Sequence, residues 1–231
     1  MSIGIGLIVP GGVILIADGR QEQPQSLNPH VVDDADKVVS LSDHIFAIPF
    51  GVVQATDLAT LLLKPAIKPN FSPELIQDAV STSIRVAWNQ LLKILASDVN
   101  INHPTMRAAL IVGGLSQDCP FIAASLYGSG VTQKSILIKD SFQFIVLGGE
   151  EYEANSHFAN QLQVIMKKDA WSSSEGPQNR NTKGILQAAN NTIRYIEGLD
   201  SSIGGIIRYA IIRKGFPVVK EVYNRDNQEN M

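Results

Sequence analysis

Residues 2–20 have the sequence SIGIGLIVPGGVILIADGR. Two apolar runs rich in β-branched residues, 3–9 and 13–17, flank Pro10-Gly11-Gly12. Glycine adopts the backbone angles that a tight reversal needs, so this stretch predicts a β-hairpin that begins at the third residue. We expect the rest of the chain to be organised around this hairpin.

Three residues with chemical functions lie at the edges of predicted strands. Ser2 precedes the first strand, Asp18 follows the second, and Lys37 precedes a third apolar run over residues 38–41. A small second residue permits removal of Met1, and Ser2 would then carry a hydroxyl and a free α-amine. A nucleophile and a base would share one residue. The functional interpretation depends on whether these three strand ends meet.

Length and composition favour one domain. The chain has 231 residues, 45% of them hydrophobic, which is ample for a sizeable core. We expect a single domain over residues 1–223 and a polar, disordered tail over residues 224–231. No apolar run reaches the ~20 residues of a membrane span, and the N-terminus lacks the features of a secretory signal. We therefore expect a cytoplasmic protein without membrane contact.

Nucleic-acid, metal and cofactor sites are not indicated. The net charge is −3, and Lys and Arg do not cluster as they do on a nucleic-acid surface. The single cysteine, Cys119, excludes an internal disulfide framework. The histidines show no ligand spacing, and Asp33, Asp34 and Asp36 lack a partnering histidine. We expect these carboxylates to form a solvated loop, and we expect neither a metal nor a cofactor.

The spacing of apolar residues predicts two helix pairs. Residues 54–64 form a helix that Pro65 and Pro69 end, and a longer helix begins at Ser72-Pro73-Glu74. A third helix follows Gly148-Gly149, and a polar loop over residues 171–181 leads to a fourth. The other predicted strands are residues 38–41, 45–50, 107–112, 121–127, 135–138, 142–147, 206–212 and 217–223. This order predicts an α+β fold of two stacked antiparallel sheets with helices on both outer faces.

Four segments carry a resemblance to a known family over nearly the whole chain. They are GLIVPGGVILIADGR (6–20), DADKVVSLSDHIFAIPFGVVQATD (34–57), RAALIVGG (107–114) and LDSSIGG (199–205). In order and spacing they resemble the proteasome β-subunit family of N-terminal-nucleophile hydrolases, as a divergent bacterial-type member. The resemblance implies a four-layer αββα sandwich of two antiparallel sheets covered by helix pairs.

The resemblance also implies partners and residue roles. It implies a peptide or amide substrate and a homo-oligomeric ring, to which apolar surface around Trp88 and residues 61–63 would contribute; the ring size and any unfoldase partner stay open. The family's N-terminal threonine falls on Ser2, and its acid and lysine fall on Asp18 and Lys37. The glycine whose N–H lines the oxyanion hole falls on Gly51. The acid of a late loop falls on Asp200.

These residue types suit nucleophilic attack on an amide. A serine hydroxyl needs a base to take its proton, and an α-amine with a pKa near ~8 is partly neutral at cellular pH. The positive charge of Lys37, held by Asp18, would lower the pKa of the hydroxyl. The N–H of Gly51 would stabilise the oxyanion, and a donor of this type is typically worth ~3 kcal/mol.

Two positions depart from the family pattern, and two interpretations follow. Gly148 and Ile203 stand where the family has serine. The first interpretation is a peptidase or amide hydrolase that acts through Ser2; the second is a proteasome-like structural or assembly subunit that has lost activity. The missing serines favour the second. The intact set of nucleophile, acid, lysine and glycine favours the first, because a buried charge arrangement is costly to keep without a use.

Overall fold

The computed structural model describes residues 2–23, 30–68, 70–94, 106–128, 131–168 and 180–223. The tail predicted over residues 224–231 and most of the polar loop over residues 171–181 lie outside the described residues. In chain order the elements are β1 (Ile3–Val9), β2 (Gly12–Ala17), β3 (Gln21–Gln23), β4 (His30–Val32), β5 (Val39–Ser42), β6 (Ile45–Gly51), α1 (Val53–Ala66), α2 (Pro73–Ile94), β7 (Arg107–Ser116), β8 (Cys119–Gly128), β9 (Val131–Ile138), β10 (Phe144–Gly148), α3 (Glu151–Lys168), α4 (Arg180–Glu197), β11 (Arg208–Arg213) and β12 (Val219–Val222).

The strands form two five-stranded antiparallel sheets. The first sheet has the order β10-β1-β2-β11-β12, and the second has the order β5-β6-β7-β8-β9. The short strands β3 and β4 pair with each other. The predicted fold class is confirmed at this level: the chain is α+β, with two antiparallel sheets and four helices in its described part.

Side-chain alternation in the first hairpin explains how the layers stack. On β2, Ile14 and Ile16 join a core cluster with residues of α3 and α4. The alternate residues Val13, Leu15 and Ala17 point to the other face and join a cluster that the two sheets share. Both faces are buried, so the strand is a continuous apolar run. The first sheet therefore lies between a helix pair and the second sheet.

The second sheet has the matching arrangement with α1 and α2. Leu110 and Val112 of β7 pack with Ile76, Val80 and Ile84 of α2. These α2 residues are spaced by four, so one helical stripe covers the sheet. The layer order is helix pair, sheet, sheet, helix pair. Among the described residues, no helix combines the length and apolar character needed to cross a membrane.

Two residues of the predicted interaction surface, Trp88 and Leu63, are instead in the core. Trp88 is 1% exposed. Its ring packs edge-on against Tyr127, with the ring centroids 6.5 Å apart, inside the cluster between α2 and the second sheet. Leu63 is also fully buried, whereas Leu61 remains 69% exposed. The predicted exposure is therefore wrong for Trp88 and Leu63, and it is confirmed for Leu61.

Several element boundaries differ from the predicted ones. Pro65 does not end α1, because the helix continues to Ala66 and Pro65 lies in its last turn. Gly113 and Gly114 do not end β7, since each is paired on both sides, with β6 and with β8. The strands β3 and β4 were not predicted, because residues 21–23 are Gln-Glu-Gln and show no apolar alternation.

Candidate active site

Three strand ends meet at one end of the two sheets, here called the site end. Ser2 directly precedes β1, Asp18 directly follows β2, and Lys37 lies two residues before β5. Ser2 and Asp18 belong to adjacent antiparallel strands, so the hairpin register brings them together. Lys37 enters from the second sheet. The functional interpretation of the sequence depended on these three strand ends meeting, and in the structure they do.

Lys37 makes the contacts that connect the site. Its Nζ lies 2.8 Å from Ser2 Oγ and donates a hydrogen bond to it. The same Nζ donates to Asp18 Oδ1 at 3.1 Å and also to the main-chain carbonyl of Arg20. Lys37 is only 6% exposed. The ammonium is therefore held by three oxygens, one of which is the hydroxyl of the candidate nucleophile.

Asp18 is held by main-chain donors as well as by Lys37. The N–H of Ile3 donates to Oδ1 at 3.0 Å, and the N–H of Gly204 donates to Oδ2 at 3.2 Å. Asp18 is 1% exposed. The carboxylate thus joins the first strand, the lysine and the loop that precedes β11. Its orientation is set from three directions, which is the support that a pre-organised site requires.

Burial shifts both ionisable groups toward their neutral forms. Burial lowers the pKa of Lys37 from its ordinary value of 10.5, and the negative charge of Asp18 opposes this shift. Burial raises the pKa of Asp18 from its ordinary value of 3.8, and Lys37 and the two N–H donors oppose that shift. A lysine whose pKa is lowered in this way is a better proton acceptor than a free lysine at neutral pH.

Ser2 and Gly51 line the same small cavity. Its volume is about 20 Å³, which is enough for one water-sized group. Gly51 has a φ of 88°, and a Cβ at this position would overlap the main-chain oxygen of Arg107. Glycine is therefore required here. The full lining is Ser2, Phe50, Gly51, Arg107, Ala109, Leu126, Gly148, Gly149 and Glu151.

Gly148 packs directly on the main chain of Ser2. Its φ is 135°, and a Cβ here would overlap the carbonyl oxygen of Ser2. The N–H of Gly149 donates to that same oxygen at 3.3 Å. Any side chain at position 148 would clash in the same way, so the local backbone requires glycine here.

Asp200 is placed differently from the three central residues. Its Oδ1 accepts hydrogen bonds from the N–H of Ser202 at 2.9 Å and from the hydroxyl of Ser202 at 2.6 Å. Its Oδ2 is buried and has no hydrogen-bond donor among the described residues. Asp200 thus shapes the loop that brings Gly204 to Asp18. Its carboxylate bonds to Ser202 within this loop, and the sequence pattern did not indicate a role for Ser202.

Arg20 is a site residue that sequence reasoning missed. Its carbonyl accepts from Lys37, and its guanidinium donates to the carbonyls of Ser201 at 2.8 Å and Ile203 at 3.0 Å. The same guanidinium pairs with Asp33 at 2.6 Å. Arg20 therefore connects the lysine to the loop that holds Asp18. The sequence feature that could have indicated Arg20 is its position directly after Asp18-Gly19, within the segment 6–20 that carries the resemblance.

The acidic residues near Arg20 and the larger cavities lie apart from Ser2. Asp33 pairs with Arg20, and Asp36 pairs with Lys220 at 2.6 Å, both as largely exposed carboxylates. Within the described residues, no group of His, Cys, Asp and Glu side chains is arranged to hold a metal ion. Two larger cavities, of about 640 and 540 Å³, do not include Ser2. The hydrogen-bond geometry, rather than cavity size, identifies the candidate site.

The comparisons with known proteins leave the family of this chain open. No protein-family model matches the sequence, and no curated protein matches it significantly.

Proposed function

We propose that the chain is a proteasome-like N-terminal-nucleophile hydrolase that cleaves a peptide or amide bond through Ser2 in the cytoplasm. Removal of Met1 would expose the α-amine of Ser2. The observation that carries the proposal is the contact between Lys37 Nζ and Ser2 Oγ at 2.8 Å, with Asp18 bonded to the same Nζ. The two-sheet architecture with a helix pair on each outer face supports it.

The site residues account for the proton and the charge in the first step. Ser2 Oγ attacks the carbonyl carbon and gives its proton to a base. The carbonyl oxygen becomes an oxyanion, which the N–H of Gly51 would stabilise. The base then gives the proton to the leaving nitrogen as the C–N bond breaks. An ester with Ser2 remains, and water hydrolyses it to the acid and the free hydroxyl.

Two groups are close enough to serve as the base. The α-amine belongs to the same residue as the hydroxyl, and Lys37 is in hydrogen-bond contact with it. Burial, which lowers the pKa of Lys37, favours the neutral form that accepts a proton. An uncleavable residue block placed before Ser2 separates the two routes, because an amide nitrogen cannot accept the proton. Inactivity of the extended protein would assign the α-amine. Retained activity would assign Lys37 as the base and would reject the N-terminal mechanism, because no free α-amine would then be needed.

The second candidate function is an inactive structural subunit of the same architecture. The observations that favour it are Gly148 and Ile203 at the two positions where the family has serine. Ser202 lies one residue before Ile203 and bonds to Asp200, so a serine hydroxyl is present in this loop. The burial of Asp18 and Lys37 together is difficult to reconcile with loss of function, since apolar residues of similar volume would be no less stable there.

Hydrolysis by Ser2 variants tests the proposal. A panel of fluorogenic peptides and simple amides is incubated with the wild type, Ser2→Thr and Ser2→Ala. We expect Ser2→Thr to retain measurable hydrolysis, because threonine has the same hydroxyl and amine. We expect Ser2→Ala to lose it. Intact-mass measurement of each protein establishes whether Met1 has been removed. Equal activity of wild type and Ser2→Ala would reject the proposal, and inactivity of a trimmed wild type on the whole panel would favour the structural subunit.

A further inference from the structure

We propose that Arg107 is a positioning residue that couples two halves of the site. The nucleophile half is Ser2 with residues 148–149, and the oxyanion half is Gly51 with the start of β7. This inference rests on the proposed function. Arg107 is the first residue of β7, in the second sheet. Its Nη2 donates a 2.7 Å hydrogen bond to the carbonyl of Gly148, the last residue of β10 in the first sheet. One side chain therefore ties the two sheets together beside the cavity that contains Ser2.

The side chain of Arg107 acts on the nucleophile half. Gly148 pairs with Ile3 in the sheet register, and its backbone lies against the carbonyl of Ser2 so closely that no side chain fits between them. Gly149 donates its N–H to the same carbonyl. The main chain of Ser2 is therefore positioned by residues 148–149. A charge-assisted bond to the Gly148 carbonyl is stronger than a neutral one and restrains that strand end.

The main chain of Arg107 acts on the oxyanion half. Its carbonyl accepts the N–H of Val52 at 2.9 Å. The same carbonyl borders Gly51, where a Cβ would overlap it. The position of the Gly51 N–H thus depends on where β7 begins. Because both halves meet at one residue, a change in the Arg107 side chain alters the distance between Ser2 and Gly51 without removing a reacting group.

A matched variant is available at the opposite end of the sheets. Arg213 ends β11, is 5% exposed, and donates to the carbonyl of Pro10 at 3.5 Å. Arg213→Ala therefore removes a buried arginine and a bond to a main-chain carbonyl far from Ser2. Arg107→Lys is the conservative variant, because an ammonium keeps the charge and can donate one hydrogen bond to Gly148.

The experiment combines steady-state kinetics with hydrogen exchange on wild type, Arg107→Ala, Arg107→Lys and Arg213→Ala. We expect Arg107→Ala to lower kcat about 10²-fold with little change in KM, as a small misplacement of reacting groups does. Arg107→Lys should recover part of this loss, and Arg213→Ala should keep the wild-type kcat. Exchange should rise in the peptides that contain residues 2–9 and 144–151 in Arg107→Ala, and it should not rise there in Arg213→Ala.

The two readouts distinguish failure of this inference from failure of the proposed function. If the wild type hydrolyses nothing, the proposed function fails, and exchange in residues 2–9 and 144–151 alone decides the role of Arg107. Unchanged exchange in Arg107→Ala overturns the inference, whether or not the wild type is active. An active wild type with equal kcat in Arg107→Ala overturns it as well, as does an equal loss of kcat in Arg213→Ala.

Discussion

At the residue scale, the buried pair of Asp18 and Lys37 is the feature that stability alone does not explain. Their side chains are 0% and 7% exposed, and the charged atoms are 3.1 Å apart. Desolvation of two ions offsets most of their attraction, so apolar residues in their place are often no less stable. Removing one partner, however, commonly costs about 3–5 kcal/mol, because the other ion stays buried. The contact of Lys37 with Ser2 gives the pair a chemical use.

We predict that Lys37→Ala lowers kcat by about 10³-fold, within the range that a positioned acid or base contributes. Lys37→Arg should not restore activity, because a planar guanidinium cannot occupy the position of a compact ammonium between three oxygens. Lys139→Ala is the matched control. Lys139 pairs with Glu74 at 2.7 Å on the surface and should be dispensable. Equal activity of Lys37→Ala and wild type would place Lys37 outside the mechanism.

The pH dependence of hydrolysis tests the electrostatic role of Asp18. Its negative charge opposes the burial that lowers the pKa of Lys37. Asp18→Asn removes this charge, so the pKa of Lys37 falls further; the α-amine would respond in the same direction. The rising limb of kcat/KM against pH should therefore move to lower pH. Asp118→Asn, at the opposite end of the sheets, should leave the limb in place. A move to higher pH in Asp18→Asn would contradict the assignment.

At the element scale, the sequence predicted the first hairpin well and the contacts between sheets poorly. The run IGIGLIV specified β1 because both faces of the strand are buried, so every residue is apolar or glycine. Ser2 and Asp18 were predictable as neighbours, since a hairpin pairs the start of one strand with the end of the next. The bond from Arg107 to Gly148 joins residues 41 apart in different sheets. Local periodicity carries no information about such a pairing.

Gly51→Ala and Gly11→Ala test the end of β6 against a matched turn. Both glycines have positive φ, 88° and 72°, so each alanine should cost about 1 kcal/mol of unfolding free energy. A Cβ at Gly11 meets nothing within 4 Å, whereas one at Gly51 overlaps Arg107. Denaturant unfolding should therefore show a larger loss for Gly51→Ala, and hydrolysis should fall in that variant alone. If Gly51→Ala and Gly11→Ala lose the same unfolding free energy and the same hydrolytic activity, Gly51 has no special role.

At the scale of the whole molecule, the site lies at one end of a core shared by the two sheets. Each sheet buries its outer face under a helix pair and its inner face against the other sheet. The order of strands and helices in the sequence predicted this layering. The exposed apolar residues were predicted only in part, since Leu61 is exposed but Trp88 and Leu63 are buried. A helix with an apolar stripe has the same sequence pattern whether a core or a partner covers the stripe.

We predict that the chain assembles into a homo-oligomer through such exposed residues. Leu61 on α1 and Ile94 at the end of α2 are 69% and 79% exposed, so both offer apolar side chains that a second copy of the chain would cover. Native mass spectrometry at micromolar concentration should show a complex larger than the monomer. Leu61→Glu should shift the distribution to smaller species. A wild type that is only monomeric would contradict the prediction.

Covalent labelling of Ser2 is the measurement that tests the central claim most directly. Wild-type protein is incubated with a serine-directed electrophile such as a sulfonyl fluoride, digested and mapped by mass spectrometry. The account predicts one modified site, on the peptide that begins at Ser2, with labelling greatly slowed in Lys37→Ala and absent in Ser2→Ala. Arg213→Ala should be labelled at the wild-type rate. A trimmed wild type that stays unlabelled at Ser2, or that labels at the same rate without Lys37, would contradict the claim that Ser2 is an activated nucleophile.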